Sequence, residues 1–189
     1  QSGETMKKCV FAGTFDPPTT GHKKTVDDCL KIFDEVVVAV MVNRSKTPLF
    51  TEKERAALLK KLYADEPRVK VTVFDGAAVD LLARENTPFY VRGVRNTVDF
   101  EYENADLYAS RKLYPEMTAV YLPAEQDSIH VSSTLVKNCI AFGKDFSQYV
   151  PAEIYVDICD ILEKKNVFKT DKDTRPRNSG RADAPAGVA

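Results

Sequence analysis

The chain has 189 residues, 43% of them apolar, with 27 basic against 28 acidic side chains and a formal net charge of −1. A chain of this length folds most simply as one domain and buries roughly 70% of its unfolded surface. The balanced charge excludes a global basic field of the kind that holds DNA or RNA, and no apolar run approaches the ~20 residues needed to cross a bilayer.

Gln1 to Thr5, ahead of Met6, read as an expression remnant, and no signal-peptide pattern follows. Lys7 to Ala12 form a first buried strand. Gly13, Pro17, Pro18 and Gly21 then turn the chain, and from Gly21 the apolar residues Val26, Leu30 and Phe33, with Ile32 beside them, follow helical spacing. Glu35 to Val42 is β-branched and nearly unbroken, as expected of a parallel strand covered on both faces. Thr51-Glu52-Lys53-Glu54 is a capping box opening a helix through Tyr63. Val69 to Phe74 is the next strand and Ala77 to Arg84 the next helix. Phe89 to Val91 is a short fourth strand ending at Arg92. A long helix runs from Asp99 to Leu113 and stops before Pro115, and Thr118 to Leu122 is a fifth strand. Helices over Ser133 to Phe142 and Pro151 to Lys165 close the pattern, Pro151 being a favourable first-turn residue.

Five strands alternating with helices predict an α/β fold, a single doubly wound, Rossmann-like parallel five-stranded sheet. The folded domain spans residues 6–165. Residues 166–189 are polar, then rich in Ala, Gly and Pro, and are expected to form a flexible tail. Cys9, Cys29, Cys139 and Cys159 are widely spaced, with no Cys-x-x-Cys pair, which reads as free thiols in a reducing cytoplasm.

The segment Phe11-Ala-Gly-Thr-Phe-Asp-Pro-Pro-Thr-Thr-Gly-His22 joins the first strand to the first helix. A strand, a tight turn and a helix start bring free N–H groups and a positive dipole end to the carboxyl edge of the sheet, where phosphate binds. His22 adds a side-chain donor there. Three more segments fall at strand ends or helix starts: Ser45-Lys46-Thr47-Pro48, Arg92-Gly93-Val94-Arg95 continuing through Asp99-Phe100-Glu101-Tyr102-Glu103, and Val131-Ser132-Ser133-Thr134-Leu135-Val136-Lys137. Ligands of doubly wound sheets bind at that edge.

These four segments, in this order, resemble the nucleotidyltransferase superfamily with its His/Thr-x-Gly-His motif. Thr19, in place of a first histidine, points to the bacterial-type phosphopantetheine adenylyltransferase family. The resemblance runs from about Lys7 to about Lys164 and implies an enzyme that transfers the adenylyl group of ATP to 4'-phosphopantetheine. The products would be dephospho-coenzyme A and pyrophosphate. It assigns Thr14, Lys46 and Arg92 to the acceptor phosphate, with Ala78 on the acceptor arm, and His22 to the pentacoordinate α-phosphate. It assigns Thr14, Phe15, His22, Gly93, Val94, Arg95 and Glu103 to ATP, Glu103 accepting from a ribose hydroxyl, and makes Thr14, His22, Lys46 and Arg92 the catalytic set. Ser128, Ile129, His130, Val131, Ser132, Ser133 and Thr134 match the segment around the adenine and triphosphate. It further implies Mg²⁺ bridging the ATP phosphates with no protein-built metal site, a homohexamer, coenzyme A as an inhibitor, and neither nucleic acid nor membrane as partner.

On residue type alone other readings stay open. Lys46 could be a solvated loop lysine, and Arg92 and Arg95 could pair with Asp99 or Glu101 at the surface. Ser132 to Thr134 could be only an N-cap cluster, and Asp99, Glu101 and Glu103 a solvated helix face. The functional alternatives are another small-molecule nucleotidyltransferase, of nicotinate mononucleotide adenylyltransferase or glycerol-phosphate cytidylyltransferase type, and a non-catalytic nucleotide- or coenzyme-sensing module. The chain departs from the family pattern on the acceptor side. Ala77 and Ala78 stand where larger apolar residues are expected, and Asp106 and Ser110 replace a commoner apolar residue and an asparagine.

Overall fold

A computed structural model describes residues 6–45 and 47–167. Its strands are Lys8–Gly13 (β1), Glu35–Met41 (β2), Val69–Phe74 (β3), Phe89–Val94 (β4) and Thr118–Pro123 (β5). All pair in parallel, in the order β3-β2-β1-β4-β5. The helices are Thr20–Cys29 (α1), Glu52–Leu62 (α2), Ala78–Glu85 (α3), Thr97–Leu113 (α4), Ser133–Ala141 (α5) and Ala152–Lys164 (α6). The doubly wound five-stranded parallel sheet is therefore the architecture found.

Strand alternation divides the core. Phe11, with Val36, Val38 and Val40, faces α1 and α2 and packs on Val26 and Leu59. Val10, Ala12, Val37 and Ala39 face the other way, onto Leu81 and Leu82 of α3 and Leu107 of α4. Covered on both sides, β2 needs no polar face, which is why its run of valines is continuous. A third cluster joins Leu58 of α2 to Val136 and Ile140 of α5 and to Ile154, Ile158 and Leu162 of α6.

Local chemistry starts the helices. Thr51 and Glu54 form the capping box expected at α2, where Glu52 and Glu54 in the first turn and Lys60 and Lys61 in the last complement the dipole. Two boundaries differ from the sequence reading. β4 extends to Val94, past the expected Val91, because β5 pairs with it as far as Val94↔Pro123. α4 starts at Thr97, two residues before Asp99, because the Asn96 side chain accepts from the Asp99 N–H and caps it. All four cysteines are free, Cys9 and Cys29 fully buried.

Candidate active site

The sheet reverses its winding between β1 and β4, the switch point of a doubly wound fold. There the β1–β4 ladder is short, with Val10 opposite Tyr90 and Phe11 opposite Val91. β1 stays paired to β2 as far as Gly13, and β4 to β5 as far as Val94. The two central strands thus part at their carboxyl ends, and a cavity of about 330 Å³ opens between them. The Ala12 carbonyl, left without a ladder partner on that side, accepts from Arg92 Nη1 at 2.8 Å.

The N-termini of α1 and α5 converge on this cavity, through Gly21 and His22 from one and Ser132 and Ser133 from the other. Each brings unpaired N–H groups and a positive dipole end. Gly93 lets α1 approach β4, since a Cβ there would lie 3.1 Å from Thr25 Oγ1.

His22 is held by an unusual capping box. The Thr19 side chain accepts from the His22 N–H at 3.3 Å, and the Thr19 N–H donates to His22 Nδ1 at 3.0 Å. With Nδ1 acting as acceptor, the neutral ring carries its proton on Nε2. Burial lowers the His22 pKa to about 4, aided by the positive charges of Arg95 and Arg92. The Phe15 ring packs edge-on against the imidazole, with centroids 4.8 Å apart. The result is a neutral donor in fixed orientation on the cavity wall.

Arg92 spans the boundary to a second cavity of about 280 Å³. Its Nε and Nη2 donate to the two carboxylate oxygens of Glu103, Nε at 2.7 Å, and Nη1 also meets the Tyr90 hydroxyl at 3.3 Å. Both members of this bidentate pair line both cavities. The second cavity continues along Ala78, Tyr90, Asp106, Ser110 and Tyr121. Arg95, just before α4, instead pairs with Asp99 in the first turn of that helix at 3.0 Å.

Of the residues singled out in the sequence, Thr14, His22, Arg92, Gly93, Arg95, Glu103, Ser128, Val131, Ser132 and Ser133 come together on the first cavity, and Ala78 lies on the second. Phe15 is buried behind the wall at 1% exposure. Val94, Ile129, His130 and Thr134 are not part of the cavity lining. His130 is exposed and packs edge-on against Tyr149. Lys46 lies outside the described residues. The plain readings of the serines also hold locally, since Ser132 caps α5 and the Ser133 hydroxyl donates to the Pro17 carbonyl at 2.8 Å. Glu103 meets Arg92, where a solvated helix face was the open alternative. Ala77 ends the loop before α3 and does not line the second cavity, whose aromatic lining is Tyr90 and Tyr121.

Sequence reasoning missed the groups that hold the turn. Asp16, 4% exposed, accepts from the Leu49 and Phe50 N–H groups at 3.0 and 2.8 Å and pairs with Lys137 of α5 at 3.2 Å. Arg55 reaches up from α2 to the Thr14 carbonyl. Lys24 and Asp28, an i,i+4 pair on the cavity rim, were visible only as helical charge spacing.

Residues 10–139 match the cytidylyltransferase-like family model. The chain is 40% identical to a phosphopantetheine adenylyltransferase of Lachnoclostridium phytofermentans over 155 residues, covering 82% of this chain and 95% of that protein. It is 37% identical to the phosphopantetheine adenylyltransferase of Phocaeicola vulgatus over 152 residues, 80% of this chain and all of the relative. A putative nicotinate-nucleotide adenylyltransferase from Vibrio parahaemolyticus shares the fold with a TM-score of 0.61 at 21% identity, over 88% of this chain and 97% of that one. A bifunctional NMN adenylyltransferase/ADP ribose pyrophosphatase from Francisella tularensis does so with a TM-score of 0.66 at 14% identity, over 86% of this chain and 52% of that one.

Proposed function

The chain belongs to the cytidylyltransferase-like family and, within it, to the phosphopantetheine adenylyltransferases, and we propose that it transfers the adenylyl group of ATP to 4'-phosphopantetheine. The products are dephospho-coenzyme A and pyrophosphate, a step of coenzyme A biosynthesis. The observation that carries this reading is the pair of cavities meeting at Arg92 and Glu103. One cavity is suited to a nucleotide and the other to an extended acceptor, with cationic and dipolar donors at the junction.

The reaction needs no protein nucleophile. The acceptor phosphate is already charged close to −2 at neutral pH, its second pKa being about 6, and attacks the α-phosphorus in line as pyrophosphate leaves. The protein holds two anions together and stabilises charge as it develops on the α-phosphoryl oxygens. In this reading Thr14, Lys46 and Arg92 grip the acceptor phosphate. His22 offers its Nε2–H to the pentacoordinate α-phosphoryl group, and Arg95, Gly93 and the α5 N-terminus take the nucleotide. Glu103 holds Arg92 between the two substrates and has lone pairs left for a ribose hydroxyl. The acceptor arm follows the second cavity past Ala78, Asp106 and Ser110.

ATP enters with Mg²⁺ on its phosphates. Of the carboxylates lining the first cavity, Glu103 pairs with Arg92, Asp99 with Arg95 and Asp28 with Lys24. Among the described residues no cluster of three or more His, Cys, Asp or Glu forms a metal cage. In this reading Mg²⁺ would come in with ATP, held by phosphate and water, and would supply charge neutralisation there. We propose a cytoplasmic homohexamer inhibited by coenzyme A, as the resemblance implies. An apolar stripe on α4 supports self-association: Val98, Tyr102, Ala105, Ala109 and Leu113 share one side of the helix, and all are exposed.

The test is pyrophosphate release from ATP with phosphopantetheine, nicotinate mononucleotide or glycerol phosphate as acceptor. Turnover with the first alone is expected, and a preference for either of the others would overturn the assignment.

A further inference from the structure

Arg55 is 2% exposed, yet it lines neither cavity. Its Nη1 donates to the Thr14 carbonyl at 2.6 Å, its Nε to the Thr51 carbonyl at 3.4 Å, and Glu52 lies 3.2 Å from Nη2. The Thr14 contact crosses from α2 to the turn after β1. There Phe15 adopts a φ of +50°, a left-handed conformation that a bulky residue rarely takes without being held. Its ring is locked below, against Phe11 and His22.

The Thr14–Phe15 peptide is trans, so its carbonyl and N–H point in opposite directions. A guanidinium that fixes the carbonyl on the α2 side therefore fixes the Phe15 N–H on the other, where Gly13 and Thr14 form the cavity wall. Among the described residues that N–H has no hydrogen-bond acceptor. We propose that Arg55 is a positioning residue: by holding the Thr14 carbonyl it aims the Phe15 N–H into the nucleotide cavity as a preorganised donor to a phosphoryl oxygen of ATP. Its charge also lies directly behind the turn, where it adds to the positive potential of the phosphate site without touching substrate. This inference rests on the adenylyl-transfer reading.

Arg55→Met and Arg55→Lys, with kcat, KM for each substrate and the melting temperature, provide the test. A hydrogen bond to a charged group is worth roughly 10- to 100-fold in an equilibrium or a rate. Arg55→Met is expected to lose about that much in kcat/KM for ATP while the KM for the acceptor stays within threefold. Arg55→Lys, which keeps one donor and the charge, recovers most of the loss. Equal damage toward both substrates in step with a lowered melting temperature, unrelieved by lysine, would overturn the proposal as mere structural support.

Replacing Phe15 by phenyllactate exchanges its backbone N–H for an ester oxygen and leaves Arg55 in place, so it decides the matter even if Arg55→Met fails to fold. ATP binding by calorimetry, with no acceptor present and so no turnover, should weaken about tenfold in the ester variant. Unchanged affinity would overturn the proposal. The functional reading is judged separately, by whether the unaltered chain releases pyrophosphate with phosphopantetheine.

Discussion

In the proposed reaction His22 acts as a neutral donor, and its surroundings keep its ring neutral. Thr19 occupies Nδ1, while burial and the two arginines disfavour the imidazolium, lowering its pKa from 6.5 to about 4. His22→Ala is expected to fold and to lose on the order of 10²–10³ in turnover, as for one preorganised transition-state donor. ATP affinity should change far less, because the bond strengthens only as the α-phosphate becomes pentacoordinate. Turnover within a few-fold of wild type would remove His22 from that role. The same environment links His22 to acid stability. Between about pH 6.5 and pH 4 the unfolded chain binds a proton at this residue that the folded chain refuses. Acidification through that window therefore destabilises the fold, and the contribution is intact above it. Urea titrations at several pH values should show a shallower acid slope for His22→Gln than for wild type. The arginines divide differently. Arg92→Ala should mainly raise the KM for phosphopantetheine, since Arg92 borders the second cavity, whereas Arg95→Ala should weaken ATP. Steady-state kinetics varying each substrate in turn decides this, and equal effects of both on both substrates would contradict the division.

At the scale of elements, α4 forms much of the wall of the second cavity, which Glu103, Asp106, Leu107 and Ser110 all line. Its start depends on Asn96, whose side chain accepts from the Asp99 N–H at 2.9 Å. Asn96→Ala is expected to cost about 1 kcal/mol of stability, read as a lowered urea midpoint with unchanged slope. The short side chain of Ala78, at the start of α3, widens the same cavity. Ala78→Met would add several tens of Å² of apolar contact to the arm, on the order of 1 kcal/mol at ~25 cal/mol per Å². A lower KM for phosphopantetheine with that for ATP unchanged is the expected result. Movement of the ATP parameters alone would show that α3 does not line the acceptor path. The expected β4, three residues long, shows where local reading stopped short. Arg92, Gly93 and Val94 carry no strong strand signal of their own, and their extension comes from pairing with Tyr121, Leu122 and Pro123.

For the molecule as a whole, an apolar stripe on α4 stands open to solvent, with Tyr102 69% and Leu113 76% exposed. Sedimentation equilibrium is expected to give an assembly well above the 21.1 kDa of one chain, and Leu113→Lys to lower its mass by placing a charge on a buried interface. A monomer in the unaltered chain would leave the stripe without that explanation. The alternation of strands and helices was legible in the sequence, because hydrophobic periodicity and capping residues are local properties, and so were Thr14, His22, Arg92 and Arg95, carried by contiguous motifs at strand ends. What the sequence could not show is where distant segments cross. That Glu103 clasps Arg92 between two cavities, that Asp16 in the turn after β1 takes the Leu49 and Phe50 N–H groups, and that Arg55 takes the Thr14 carbonyl, the last two across 30 or more residues, are decided by tertiary structure alone. Such contacts depend on three-dimensional distance and on the burial that strengthens a charge's hold on its partner, and neither quantity is written in the spacing of residues along a chain.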